Sequence, residues 1–83
     1  MNTIIEIIEK HEKVYIILKD IESKRRFIKD AFKYGVLFTN ASLPYLDMSD
    51  DIIALYSDRT IARLGWAGRI HFHNDKAVIR IEY

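Results

Sequence analysis

The end of the chain, residues 69–83, alternates polar and apolar side chains on both sides of an Asn74-Asp75 pair. Such alternation is typical of β-strands with one wet and one dry face, and Asn and Asp favour a tight turn. A two-residue turn would set Phe72 opposite Ala77, so that apolar residues meet on one face of the ladder throughout. The pattern therefore predicts a C-terminal β-hairpin, and it constrains the fold more than any other segment.

Basic side chains would gather on the polar face of this hairpin. In the same register Arg69 lies opposite Arg80, and like charges directly across a ladder cost a few tenths of a kcal/mol to about 1 kcal/mol. We expect Glu82 or an anionic partner to offset that repulsion. The residues of this face and the lone tryptophan are therefore candidates for partner binding: Arg69, His71, His73, Lys76, Arg80 and Trp66.

The composition is that of one globular domain, residues 1–83. The chain is 49% hydrophobic and 30% charged, which suits a small protein with a buried core. It has no cysteine, which excludes a disulfide framework, a thiolate metal site and a cysteine nucleophile. Its apolar runs are too short to cross a bilayer and its N-terminus has no signal-peptide pattern, so we expect a cytoplasmic protein without membrane contact.

Residues 20–34 have the clearest helical pattern in the chain. Asp20 is a suitable N-cap, and Gly35 is a suitable C-terminal stop. Apolar residues recur at helical spacing and form one broad arc, made of Ile21, Phe27, Ile28, Ala31, Phe32 and Tyr34. The pattern predicts an amphipathic helix that packs on a sheet and turns a basic face to solvent.

Residues 3–19 contain two isoleucine-rich runs separated by a polar break. Their β-branched residues favour strands, and the pattern favours a hairpin. The alternative is a short helix over residues 4–12, because Thr3 and Glu6 have the spacing of a capping box. The strands of the hairpin would be apolar on both faces, which predicts a central position in the sheet or a dimer interface.

The middle of the chain predicts short strands joined by turns. Residues 36–39 suit a short strand, and residues 40–51, with the only proline and a group of acids, suit a loop. Apolar runs at 52–56 and 60–64 flank a turn and predict a second hairpin. Gly65 and Gly68 on either side of Trp66 predict a bulge or a sharp bend.

No residue pattern supports catalysis or a resident cofactor. His71 and His73 would share one face of a strand, but a metal site needs three or four ligands and His11 is far along the sequence. The serines lie outside nucleophile motifs, and the adjacent carboxylates Asp50 and Asp51 lie on a predicted loop. We therefore expect no enzyme, no metal and no cofactor.

Two binding functions remain open. The first is protein–protein contact by a small accessory, adaptor or inhibitor protein, and the isoleucine- and lysine-rich composition is typical of such proteins in phages and other mobile elements. The alternative is nucleic-acid binding through the basic C-terminal hairpin and the basic helix face, which is formed by Arg25, Arg26, Lys29 and Lys33. A net charge of +1 argues against a strongly basic nucleic-acid binder.

Together these elements predict an α+β domain. A mostly antiparallel sheet would be covered on one face by the main amphipathic helix and would end in the C-terminal β-hairpin. The core would be formed by Ile16, Leu18, Ile21, Phe27, Ile28, Phe32, Ile70, Phe72, Ile79 and Ile81. The other face of the sheet would stay partly apolar, which predicts a homodimer or a docked protein partner.

Overall fold

The protein has helices on both sides of one sheet. The structure is a computed structural model, and it describes residues 3–47, 50–64, 66–74 and 79–83, without the side chains of residues 66–68 and 71. In chain order the elements are α1 (Ile4–Lys10), β1 (Lys13–Ile17), α2 (Ile21–Lys33), β2 (Leu37–Phe38), β3 (Ile52–Tyr56), β4 (Thr60–Arg63), α3 (Trp66–Asn74) and β5 (Arg80–Glu82). The predicted α+β class is confirmed.

The five strands lie in the order β2-β4-β3-β1-β5. β3 pairs antiparallel with both β1 and β4, whereas the outer strands are parallel to their neighbours, β2 to β4 and β5 to β1. The prediction of a mostly antiparallel sheet is therefore wrong, because the sheet is mixed. The cause is that α2 precedes β2 and α3 precedes β5, and a strand reached through a helix crosses over instead of turning back.

The N-terminal segment is α1 and not the first strand of a hairpin, so the favoured interpretation is wrong and the helical alternative is right. The Thr3 hydroxyl accepts a hydrogen bond from the Glu6 backbone N–H at 3.3 Å and donates one to the Glu6 carboxylate at 3.3 Å. Ile4 and Ile7 are one turn apart and both are buried. A local cap and an apolar stripe thus outweigh the strand preference of isoleucine.

The main helix is confirmed as α2. The Asp20 carboxylate accepts a hydrogen bond from the Ser23 N–H at 2.8 Å, and this bond lowers the pKa of Asp20. After the helix, Gly35 has a φ of +69°, in the left-handed region that favours glycine. Phe27 and Ala31 are fully buried, which places the apolar side of α2 on the sheet.

The two faces of the sheet carry separate apolar clusters. On the first face, α1 and α2 pack against strand residues in a cluster of Ile4, Ile7, Val14, Ile16, Leu18, Phe27, Ala31, Val36, Phe38, Ile53, Leu55 and Ile61. On the second face, Phe72 of α3 packs against Tyr15 and Ala54, with the Phe72 and Tyr15 ring centroids 5.5 Å apart. Alternate residues of β1 therefore enter both clusters, as expected for a central strand.

The predicted core is right only in part. Ile16, Leu18, Phe27 and Phe72 are buried, and Ile28 and Ile81 are partly buried. The exposed fractions of Ile21, Phe32, Ile70 and Ile79 are 48%, 55%, 45% and 38%, so these four predictions are wrong. The apolar arc of α2 is wider than the strip that the sheet covers, and the hairpin that would have buried the last two isoleucines does not form.

The C-terminal hairpin is wrong, because α3 takes the place of its first strand. β5 pairs in parallel with β1 and sets Ile81 beside Ile16. The predicted turn at Asp75 and its flanking residue Lys76 lie outside the described residues. A long-range requirement overrides the local pattern: one edge of β1 pairs with β3, and the other edge needs backbone partners that β5 supplies.

The second hairpin is confirmed as β3 and β4, with Ala54 opposite Ala62. At its turn the Asp58 carboxylate accepts hydrogen bonds from the Thr60 N–H at 3.1 Å and from the Thr60 hydroxyl at 2.5 Å. The short strand predicted within residues 36–39 is confirmed as β2. The bulge predicted around residue 66 is wrong where it can be checked, since residues 66–68 begin α3, and Gly65 lies outside the described residues.

Thr3→Ala is expected to lower the free energy of unfolding by about 1 kcal/mol, because α1 loses its N-cap. The matched control is Thr39→Ala, since the exposed Thr39 hydroxyl has no hydrogen bond within the described residues. The control is expected to change stability by less than about 0.5 kcal/mol. Urea titration followed by circular dichroism measures both variants, and equal effects would contradict a helix that begins after Thr3.

Candidate functional site

A groove of about 630 Å³ lies between α2 and the loop of residues 43–47. Its lining combines apolar and charged side chains and consists of Ile21, Lys24, Arg25, Ile28, Lys29, Tyr45, Leu46 and Asp47. We term it the basic groove, because three of these side chains are cations and one is an acid. It is the strongest candidate binding site in the part of the chain that the structure describes.

The helical spacing of α2 builds one wall of the basic groove. Ile21, Lys24 and Ile28 recur every three or four residues and therefore form one stripe along the helix. This stripe lies beside the stripe of Phe27 and Ala31 that packs on the sheet. Ile21 is half-exposed and Ile28 is partly buried, so apolar surface stays open to solvent between the cations.

The other wall is a loop that one arginine holds in place. Arg63 of β4 donates through Nε to both carboxylate oxygens of Asp50, at 3.1 and 3.2 Å, and through Nη2 to the Tyr45 carbonyl at 2.6 Å. Asp50 is only 7% exposed and also accepts the Asp47 N–H at 2.8 Å. The Arg63 guanidinium lies 4.6 Å from the Phe38 ring centroid. These contacts fix a loop that has no regular secondary structure of its own.

Along this loop, residues that anchor it alternate with residues that point outward. Pro44 is buried and Leu46 packs against the first apolar cluster. Leu43 and Tyr45 are 66% and 64% exposed. Large apolar side chains that stay exposed on a well-anchored loop are typical of an interaction surface.

The electrostatics of the basic groove come from its cations. The Lys24 ammonium donates to the Asp47 carbonyl at 3.2 Å and so connects the two walls. Arg25 and Lys29 are exposed, and no carboxylate of the described residues forms an ion pair with either. They are four residues apart on α2, so their positive charges lie one turn apart on the same side of the helix.

The four cations of the predicted nucleic-acid face of α2 do not all line the basic groove. Arg25 and Lys29 line the basic groove, whereas Arg26 donates to the Tyr83 carbonyl at 3.3 Å and is held against the end of β5. Lys33 lies outside the groove, with its ammonium 5.4 Å from a neighbouring tyrosine ring. All four side chains are exposed, but only two of them contribute to one concave site.

The residues predicted for the basic hairpin do not share a strand face. Arg69 lies in α3 and pairs with Asp51 at 3.0 Å. Arg80 lies in β5, donates to the Phe72 carbonyl and lies 4.9 Å from the Phe72 ring centroid. The His73 ring is 5.1 Å from that same ring. Arg69 is helical, so it does not face Arg80 across a ladder. Lys76 and the side chains of His71 and Trp66 lie outside the described residues.

Two titratable groups away from the groove have shifted pKa values and contact neighbouring elements. Burial works to raise the pKa of Asp51, but hydrogen bonding to Arg69 and the Arg69 charge contribute to keeping it below its usual value. Burial, together with a hydrogen bond donated to the Asp30 carboxylate, raises the pKa of the Tyr83 hydroxyl. The Tyr83 ring meets Phe27 edge-on at 5.2 Å, so the residue after β5 is joined to α2.

Three further observations concern metal ions, membranes and known proteins. Within the described residues, no group of three or more His, Cys, Asp or Glu side chains is placed to hold a metal ion. No helix in the same residues is long and apolar enough to span a membrane. No protein-family model, curated protein or solved structure matches the chain.

Sequence reasoning finds one wall of the basic groove and misses the other. Arg25 and Lys29 are among the predicted binding residues, but Tyr45 and Leu46 fall in a segment that its acids and proline mark as a loop. A signal was present, since Leu43, Tyr45 and Leu46 are large apolar residues inside that loop. The breadth of the apolar arc of α2 is a second signal, because one sheet covers only part of it.

Arg63→Ala is expected to lower the free energy of unfolding by about 2 kcal/mol and to loosen the loop wall. Breaking a fully buried ion pair costs about 3–5 kcal/mol, and the expected figure is smaller because the Arg63 side chain is 43% exposed. The matched control is Arg59→Ala in the same hairpin, which loses a single hydrogen bond to the Tyr34 carbonyl and should cost about 1 kcal/mol or less. Urea titration compares the two variants, and equal costs would contradict the role assigned to Arg63.

Proposed function

We propose that this protein is a small non-catalytic binding domain that acts through protein–protein contacts in the basic groove. The observation that carries the proposal is the combination, in one concave site, of half-exposed apolar side chains with two cations that form no ion pair within the described residues. Such a site gives a partner both apolar area to bury and a charge pattern to recognise.

The apolar part of the groove supplies the driving force. Burying apolar surface stabilises a complex by roughly 25 cal/mol per Å² before the costs of association. Ile21 and Tyr45 are the most exposed apolar side chains of the lining, and tyrosine and arginine are enriched among residues that dominate binding energies. A partner that covers them would therefore gain most of its affinity from this part of the surface.

The rigidity of the loop wall supports binding over a passive surface role. Arg63, Asp50 and Lys24 anchor the loop through hydrogen bonds within this chain. A preformed site avoids the free-energy cost of ordering a loop during association. The titratable side chains of the lining suit recognition of a charged partner, and they are Lys24, Arg25, Lys29, Tyr45 and Asp47. We therefore propose a binding role for the groove and not a catalytic one.

The wider role is a proposal that rests on the size and composition of the chain. We assign it as an accessory, adaptor or inhibitor protein of the cytoplasm, of the kind found in phages and other mobile elements. The absence of cysteine is compatible with a reducing compartment. A homodimer is a further proposal, supported by the half-buried apolar residues Ile17, Ile52 and Tyr56 on the second face of the sheet.

Nucleic-acid binding is the second candidate function. Four exposed cations on α2 and the exposed Tyr45 ring favour it, since cations contact phosphates and aromatic rings stack on bases. The engagement of Arg26 with the Tyr83 carbonyl and the position of Lys33 outside the groove weigh against it. A strand of nucleic acid would use the full row of α2 cations, whereas a protein bound in the basic groove would use Arg25 and Lys29.

Two charge reversals on α2 separate these functions. Lys29→Glu changes a groove residue, and Lys33→Glu changes another exposed lysine one turn further along, outside the groove. In a quantitative pull-down from native host lysate treated with nuclease, Lys29→Glu is expected to reduce recovery of the protein partner roughly tenfold. Lys33→Glu is expected to leave that recovery unchanged.

The control variant, Lys33→Glu, separates a loss of binding from a loss of stability. Lys33 lies in the last turn of α2, where a cation is favourable, so Lys33→Glu should destabilise the fold at least as much as Lys29→Glu does. A partner that the unmodified protein loses on nuclease treatment, and that both variants recover poorly without nuclease, would favour nucleic acid. A nuclease-resistant partner that both variants retain would remove the basic groove as the site.

A further inference from the structure

We infer that the occupant of the basic groove is an acidic amphipathic helix of a partner protein. This inference rests on the proposed function and adds the chemical class and the conformation of the partner segment. It follows from the charge of the lining, the openness of the groove, the state of the backbone around it and the spacing of its apolar side chains.

The charge of the lining selects an acidic partner. Arg25 and Lys29 have no carboxylate partner within the described residues, and they lie four residues apart on the same side of α2. Two carboxylates separated by one turn of a partner helix match that spacing. The lining also holds Lys24, which donates to the Asp47 backbone carbonyl, and the Asp47 carboxylate, so three positive charges face one negative charge and the lining stays net positive.

The openness of the groove selects a polypeptide over a small molecule. Small ligands usually bind where about 70–90% of their surface becomes buried. Ile21 and Tyr45 stand on opposite walls and are each about half-exposed or more, so the groove is a trough without a roof. A rod that lies along the trough and keeps one side in solvent fits this shape.

The backbone around the groove favours a helix over an extended strand, because three backbone groups of the loop wall are already engaged. An extended segment binds by hydrogen bonds to free backbone groups of its receptor. On the loop wall, the Tyr45 carbonyl accepts from Arg63, the Asp47 carbonyl accepts from Lys24 and the Asp47 N–H donates to Asp50. The α2 wall is a helix whose backbone groups bond internally. A helical occupant satisfies its own backbone and needs only side-chain contacts.

The apolar side chains set the length of the contact. Ile21 and Ile28 are seven residues apart, which is about two turns or roughly 10 Å along α2. A partner helix that lies along the groove would present apolar residues at i, i+3 or i+4, and i+7 to reach both. Acidic residues beside this stripe would meet Arg25 and Lys29. The partner motif is therefore an apolar stripe of about two turns flanked by Asp or Glu.

Selection from a random 16-residue peptide display library tests the inference, with the full chain immobilised as bait. The expected result is enrichment of peptides with an apolar stripe at helical spacing and at least two flanking acids. Synthetic versions should gain helical circular dichroism on binding. Their affinity should fall at least tenfold for Lys29→Glu and stay unchanged for Lys33→Glu, with the fold of both variants checked by thermal unfolding.

A charge-swapped bait gives an independent readout. The double variant Arg25→Glu with Lys29→Glu keeps the apolar walls and reverses two charges of the groove, so it should enrich basic stripes from the same library. Enrichment of acidic peptides by this variant would overturn the inference.

The remaining outcomes separate this inference from the proposed function. Groove-dependent peptides that are neutral, or that carry proline within the apolar stripe, overturn the acidic helix while leaving a protein-binding groove in place. The same holds if no peptide is enriched over a blank surface while the host partner in the pull-down still depends on Lys29. If neither peptides nor the host partner depend on Lys29, both the inference and the proposed function fail.

Discussion

The fold depends on β1, a strand whose two edges and two faces are all covered. β3 pairs with one edge and β5 with the other, and Val14, Tyr15 and Ile16 are between 0% and 3% exposed. A strand of this kind is stable only inside a protein, because leaving its backbone groups unpaired or its apolar side chains in water costs free energy. Its burial explains why helices lie on both sides of so small a sheet.

The same strand explains which parts of the fold were predictable. α2 and the β3–β4 hairpin are specified by local signals, namely the Asp20 cap, the left-handed Gly35 and a short polar turn. The alternation of residues 69–83 is also a local signal, but the second edge of β1 recruits only its last part as β5. Local pattern cannot reveal that competition, because it is decided by a strand far away in the sequence. At the N-terminus the local signal is right, because the cap residue Thr3 decides whether an isoleucine-rich run forms a helix or a strand.

The basic groove arises because two adjacent stripes of α2 have different roles. One stripe of the helix packs on the sheet, and the adjacent stripe of apolar residues and cations is left to form a wall. The sequence predicts the helix and the position of its charges, so the α2 wall of the basic groove follows from helical periodicity. The other wall depends on Arg63 of β4 reaching across to Asp50 and to the Tyr45 carbonyl, a contact between segments that no periodicity connects. Sites built between elements in this way are the parts of a small domain that sequence patterns reveal last.

The parallel pairing of β1 with β5 also affects how the molecule is made. Ile16 and Ile81 are side by side in the sheet although most of the chain separates them. Contacts between residues so distant slow folding, because a long loop must close before any free energy is gained. During synthesis, β1 leaves the ribosome long before β5 and must wait with an apolar, unpaired edge. Open edges of this kind pair readily with other chains. The strand that organises the finished protein is thus an aggregation-prone segment while the protein is being translated.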